Sequence, residues 1–134
     1  MQIVLEKLLK NAYAPYSNFR VAALVKTKDG KYYAGVNVEN ANYTSICAER
    51  NAIANALANG YKKGDFEAIY IMLENGEIGW PCMACRQVIL EFFEQDKLIY
   101  SVKKDGTMES HTVAEMCPYP FTSEDLKWKQ DLLA

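Results

Sequence analysis

Three cysteines in two short stretches constrain this chain more than any other feature. One stretch is Cys47-Ala48-Glu49-Arg50, and the other is Pro81-Cys82-Met83-Ala84-Cys85-Arg86-Gln87. Each opens a segment that reads as a helix. Cys82 and Cys85 stand three residues apart, so on a helix they share a face. Pro81 suits the first helical turn, where its missing N–H is not needed. Thiols in a first turn sit near unpaired N–H groups and the positive end of the helix dipole, which favours the thiolate. If the fold brings Cys47 to this pair, three thiolates can hold one Zn²⁺ tetrahedrally and leave one position open. That is the pattern of a catalytic site rather than a closed structural one. Glu49 is not needed as a ligand and is placed to carry protons to and from a water at the metal. Three thiolates and a dication leave a net negative centre, so a neighbouring cation helps. Arg50, Arg86 and Gln87 flank the ligands, and at least one of the arginines is expected to donate to a ligand sulfur.

The stretches Cys-Ala-Glu and Pro-Cys-x-x-Cys together resemble the zinc nucleoside deaminases in their three-cysteine form, and within them the small cytidine deaminases. The resemblance extends beyond the metal residues. Ala12-Tyr13-Ala14-Pro15-Tyr16-Ser17-Asn18-Phe19 is similar to the family's N-terminal signature. Gly35-Val36-Asn37-Val38-Glu39-Asn40-Ala41 is similar to its ribose-binding strand, and Phe121-Thr122-Ser123-Glu124-Asp125-Leu126 to its C-terminal segment. A lone C-x-x-C is weak; these motifs lie in register from about Ala12 to Leu126, nearly the whole chain.

The bounds from composition agree. The chain has 134 residues, half of them hydrophobic, and a net charge of -2. This suits one domain over residues 1–134 with a proper core. The charges are interspersed and form no basic stripe, which argues against a polynucleotide partner and leaves a free nucleoside. Met1 to Lys10 alternates charged and apolar residues, so neither a signal peptide nor a membrane span is expected. The C-x-x-C and the missing secretory signal point to reduced, metal-binding cysteines in the cytoplasm, with Cys117 spare.

Along the chain, apolar spacing predicts a helix over Gln2 to Ala12, stopped by Pro15. Tyr13 to Asn18 reads as a loop in which Tyr13 is a packed connector. Phe19 to Lys28 and Tyr32 to Val38 read as a hairpin closed by Lys28-Asp29-Gly30-Lys31. Helices are expected over Ile46 to Asn59 and Cys82 to Gln95, and strands over Glu67 to Leu73, Lys97 to Lys103 and Met108 to Thr112. One helical turn over Thr112 to Met116 and a last helix capped by Ser123 complete the reading. The predicted fold is α/β, a three-layer α/β/α sandwich on a five-stranded mixed sheet.

The resemblance implies hydrolytic deamination of free cytidine or deoxycytidine, with Glu49 as the proton carrier. It implies that Phe19 edges the pyrimidine; composition alone favours core for this residue. It also implies that Asn37 and Glu39 bind the ribose hydroxyls, and that the Ala48 amide and the Trp80 carbonyl bind the base. Tyr43 and Phe121 match positions that serve a neighbouring subunit, so a homotetramer with shared sites is implied. Three departures bear on substrate choice. Val21-Ala22-Ala23-Leu24 replaces the usual Val-Gly-Ala-Ala, the loop from Glu39 to Cys47 is one residue short, and Trp80-Pro81-Cys82-Met83-Ala84-Cys85 replaces Ser-Pro-Cys-Gly-Ala-Cys. A modified cytosine nucleoside such as blasticidin S is therefore the alternative substrate. The competing readings are a closed structural zinc site with His111 as fourth ligand, a redox dithiol at Cys82 and Cys85, and a deaminase fold that only binds nucleoside.

Overall fold

The computed structural model describes residues 1–127. Helix α1 (Gln2–Leu9) precedes a hairpin of β1 (Val21–Thr27) and β2 (Tyr32–Val36). Then follow α2 (Ala48–Ala58), β3 (Phe66–Leu73), α3 (Met83–Phe92), β4 (Leu98–Val102), β5 (Met108–Thr112), α4 (Val113–Met116) and a 3₁₀ turn, Ser123–Leu126. The sheet has five strands in the order β2-β1-β3-β4-β5. Only β3 and β4 pair in parallel.

Alternation along β1 builds the layers. Ala22 and Leu24 pack with Leu5 and Leu9 of α1, Met72 and Val102. Ala23 and Val25 face the other way, onto Ala52 and Ile53 of α2, Ile89 of α3, and the sheet residues Ile71 and Ile99. Successive strand residues point to opposite faces, so an apolar run that is buried on both sides needs a helix layer on each. The expected α/β/α sandwich on a mixed sheet is what forms.

Strand direction places the site. Because β1 runs antiparallel to both β2 and β3, and β3 parallel to β4, the strands β2, β3 and β4 all point one way. α2 follows β2, and α3 follows β3, so both helices begin beyond the carboxyl ends of these strands. Ligands gather at that edge in open α/β sheets.

α2 lies directly on β2. A Cβ at Gly35 would stand 2.3 Å from both the Ala48 carbonyl oxygen and the Ala52 nitrogen. Ala48, Ala52 and Ala56 are fully buried beneath the helix, four residues apart on one face. Asn51 Nδ2 donates to the Val36 carbonyl at 2.7 Å and Asn55 Nδ2 to that of Ala34 at 3.1 Å. These bonds use carbonyls on a strand that would otherwise be an open sheet edge.

Several boundaries move for identifiable reasons. α1 ends at Leu9, not at Ala12 or Pro15, because Tyr13 forms a parallel bridge with Val38. Tyr13 is held there by its backbone; its ring is 57% exposed, so it is not a packed connector. β2 stops at Val36 because Val38 leaves the hairpin to bridge Tyr13 and Ile46, and Ile46 is thereby kept out of α2. Pro81 lies outside α3, since Cys82 is the N-cap. α3 ends at Phe92, short of Gln95, with Phe93 in extended conformation packed on the core. Thr122, not Ser123, caps the last turn, in a reciprocal box with Asp125. Any continuation of that turn past residue 127 lies outside the described residues.

The Gly35 contact gives a stability test. Gly35→Ala should lower the unfolding free energy by about 2–3 kcal/mol, because the clash is with backbone atoms that cannot rotate away. Urea unfolding measures it; a change below about 0.5 kcal/mol, the range of an ordinary surface substitution, would show that α2 does not rest on this contact.

Candidate active site

Cys47 is the N-cap of α2 and Cys82 the N-cap of α3, with Cys85 three residues further on. The two helix starts bring their sulfurs together. Cys47 Sγ lies 3.7 Å from Cys82 Sγ, and Cys82 Sγ lies 3.5 Å from Cys85 Sγ. All three sulfurs fall within 4.8 Å of one another. Sulfurs bound tetrahedrally at about 2.3 Å from zinc stand about 3.8 Å apart. The donor set therefore fits one Zn²⁺ with only small side-chain shifts.

The protonation balance also suits a cation. Burial alone would raise the Cys82 pKa, but the Cys85 backbone N–H and the neighbouring thiols outweigh it and bring it down. Burial pushes the Cys85 thiol strongly up, and the Glu49 carboxylate adds to this. Glu49 is 5% exposed, and burial raises its pKa against the opposing pull of its own backbone N–H, Cys85 and Arg50. Cys85 and Glu49, buried together, resist ionising until a dication arrives. The cation already present is Arg50, whose Nη2 approaches Cys47 Sγ at 3.5 Å and donates to the Ser45 carbonyl at 3.2 Å. Of the two arginines beside the cysteines, Arg50 is thus the one that reaches a clustered sulfur.

A cavity of about 450 Å³ opens beside the thiols. Its walls include Cys47, Cys82, Ala48 and Glu49 at the sulfur end, Trp80 after the β3 loop, and Phe19, Asn37 and Glu39. Phe19 is 41% exposed, so it belongs to the cavity wall rather than the core. The cavity's volume is within the usual range for small-molecule sites.

Asn37 and Glu39 are partly occupied by the protein itself. Asn37 Oδ1 accepts from the Val21 N–H at 2.9 Å, and its Nδ2 donates to the Phe19 carbonyl at 2.8 Å. It ties the start of β1 to the segment after β2. Glu39 Oε1 accepts from the backbone N–H groups of Tyr16 and Ser17, at 3.0 and 3.1 Å, while Oε2 accepts from the Ser17 hydroxyl. These donors, the hydroxyl foremost, hold its carboxyl below the ordinary range.

Residues 1–102 match the profile of the cytidine and deoxycytidylate deaminase zinc-binding region. A cytidine deaminase of Sporosarcina psychrophila is 38% identical over 124 residues, covering 92% of this chain and 90% of that protein. One of Halalkalibacterium halodurans is 39% identical over 118 residues, covering 87% and 88%. The crystal structure of cytidine deaminase from Burkholderia pseudomallei superposes with a TM-score of 0.83 at 39% identity, covering 89% of this chain and 94% of that one. The chain belongs to the cytidine and deoxycytidylate deaminase family.

Arg86, Gln87, Tyr43 and Phe121 lie outside the wall of the 450 Å³ cavity. Arg86 turns away from the sulfurs. Its Nε donates to the Pro81 carbonyl at 2.7 Å and its Nη1 to that of Met116 at 3.2 Å, pinning the loop before Cys82 to α4. Gln87 Nε2 donates to the Phe121 carbonyl at 2.7 Å and so ties the C-terminal segment to α3. Tyr43 is 81% exposed and Phe121 55% exposed, and neither lines the 450 Å³ cavity. Tyr43 instead meets Tyr16 edge to face, with ring centroids 5.4 Å apart.

His111 is not remote from the motifs. Its ring packs edge-on against Trp80, centroids 4.8 Å apart, and Nδ1 lies 3.1 Å from Glu115 Oε2. It is not among the residues clustered with the thiols, which removes the fourth ligand of the closed-site reading. Two residues were missed. Ser101, 1% exposed in β4, accepts from the Gly79 N–H at 3.0 Å and fixes the loop before Trp80. A serine inside the apolar run Leu98-Ile99-Tyr100-Ser101-Val102 was the available signal. Ser17 stands inside a quoted motif, but nothing local marks its long-range bond to Glu39. Among the described residues no helix is long and apolar enough to cross a membrane.

Elemental analysis checks the centre. The purified protein should carry about one zinc per chain, and Cys82→Ala less than about 0.2, since metal affinity collapses when a thiolate ligand is lost. His111→Ala should retain the full zinc content; loss of metal there would restore the closed-site reading.

Proposed function

We propose that the protein hydrolyses the exocyclic amine of free cytidine or deoxycytidine, giving uridine or deoxyuridine and ammonia. The observation that carries this reading is a buried carboxylate, Glu49, on the wall of a cavity that also reaches Cys47 and Cys82, two members of a zinc-competent triad.

Cys47, Cys82 and Cys85 would hold the zinc, which supplies the Lewis acidity that makes a water nucleophilic near neutral pH. Glu49 takes a proton from the attacking water and delivers it to the ring nitrogen of the base. It then passes the second proton of that water to the departing amine, so ammonia leaves and the ring gains its carbonyl. Burial suits Glu49 to this task, because a carboxylate with raised proton affinity can both accept and return a proton. Arg50 offsets the negative charge of the thiolates through Cys47.

The same cavity supports the substrate assignments. Phe19 edges the pyrimidine, the Ala48 N–H and the Trp80 carbonyl hydrogen-bond the base, and Asn37 and Glu39 use their remaining capacity on the sugar hydroxyls. Tyr43 and Phe121, exposed in the single chain, serve a neighbouring subunit in a homotetramer with shared sites. The reading further includes one domain over residues 1–134, a cytoplasmic location and a role in pyrimidine salvage.

One observation favours a second reading, a larger cytosine nucleoside. A cavity of about 210 Å³, lined by Tyr16, Asn40 and Tyr43, shares Ser17, Glu39 and Ser45 with the first. It could take a substituent of a compound such as blasticidin S. A kcat/KM for blasticidin S more than about tenfold above that for cytidine, a preference of about 1.4 kcal/mol, would make it the preferred substrate.

Glu49→Ala should keep its zinc and lose cytidine deamination on the order of 10³-fold, followed by the fall in cytosine absorbance and ammonia release. Retained turnover would remove Glu49 from the chemistry. Phe19→Ala should raise KM about tenfold, the worth of one aromatic–base contact; a wild-type KM would take Phe19 out of the binding wall.

A further inference from the structure

The hydroxyl of Ser17 sits between two residues of the cavity wall. It donates to Glu39 Oε2, and its oxygen accepts from the Phe19 N–H at 3.1 Å. The Ser17 and Tyr16 N–H groups both go to Glu39 Oε1. A carboxylate oxygen has two lone pairs, so Oε1 is filled by the protein and Oε2 keeps one acceptor position. Glu39 itself lies beyond the end of β2, outside the paired strands. No strand partner fixes its side chain, and among the described residues every hydrogen bond to its carboxylate comes from residues 16–17.

We infer that Ser17 is a positioning residue for substrate. It locks the Glu39 carboxylate so that the single free lone pair of Oε2 faces a sugar hydroxyl. This rests on the proposed function only in taking the ligand to be a pyrimidine nucleoside. Without the hydroxyl, Oε2 gains a second free acceptor position, the carboxylate can rotate, and water competes for the place of the sugar hydroxyl. A lone pair held in one direction is worth more to a ligand than one that must be ordered on binding.

The inference predicts a loss specific to nucleosides that carry the hydroxyl. Isothermal titration of the zinc-loaded protein with uridine and with 2′,3′-dideoxyuridine reads it directly. Ser17→Ala should weaken uridine about tenfold, the order expected for one hydrogen bond to a charged group, and dideoxyuridine by less than about twofold. Ser17→Thr, which keeps the hydroxyl on an exposed loop, should bind uridine within about threefold of wild type. A Ser17 that only shaped the loop would weaken both nucleosides alike. Equal weakening of the two, no weakening of either, or a wild-type protein that binds no uridine overturns the inference. Failure of the proposed function would look different: no ammonia from cytidine, while uridine still binds and still distinguishes the wild-type protein from the Ser17→Ala variant.

Discussion

The site depends on two helices starting at the same edge of one sheet. β2, β3 and β4 run in one direction, so the segments that leave them emerge at the same edge of the sheet. Cys47 and Cys82, each at an N-cap, then meet at 3.7 Å at the ends of the segments that follow Val36 and Leu73. The close approach of α2 to β2 at Gly35 keeps the first helix at the height this meeting requires. Sulfur geometry is thus a consequence of strand direction and one missing side chain.

Charge organises what the backbone assembles. Crowding Cys85 against the buried Glu49 is unfavourable for both as anions, and their raised proton affinities register that conflict. A dication resolves it for the thiols, while Glu49 keeps a place on the cavity wall. Arg50 adds a second positive charge through the Cys47 sulfur. The centre combines three clustered thiols, a buried carboxylate and a neighbouring cation within the first turns of two helices.

Legibility followed the range of the interactions involved. The hairpin at Asp29-Gly30, the central β3 and the turn capped by Thr112 were readable because local chemistry decides them. The metal triad was readable because zinc demands particular residue types at particular spacings. What was not readable depends on partners distant in sequence. Arg50 and Arg86 look equivalent beside their cysteines. Arg50, three residues after Cys47, leans back over that sulfur as helical neighbours do. Arg86 is drawn off by the Pro81 and Met116 carbonyls. The Tyr13–Val38 bridge ends the expected strand early, so Asn37 bonds to Phe19 and Val21 and Glu39 to Tyr16 and Ser17, partners far off in the sequence.

The central claim is that one zinc in the three-thiol centre turns this cavity into a deaminase. The most direct test is to strip the metal with a chelator and return zinc stepwise while following ammonia release from cytidine. Activity should rise in proportion to bound zinc and level off at about one equivalent per chain. Full activity without metal, or a zinc-saturated, folded protein that leaves cytidine untouched, would contradict it.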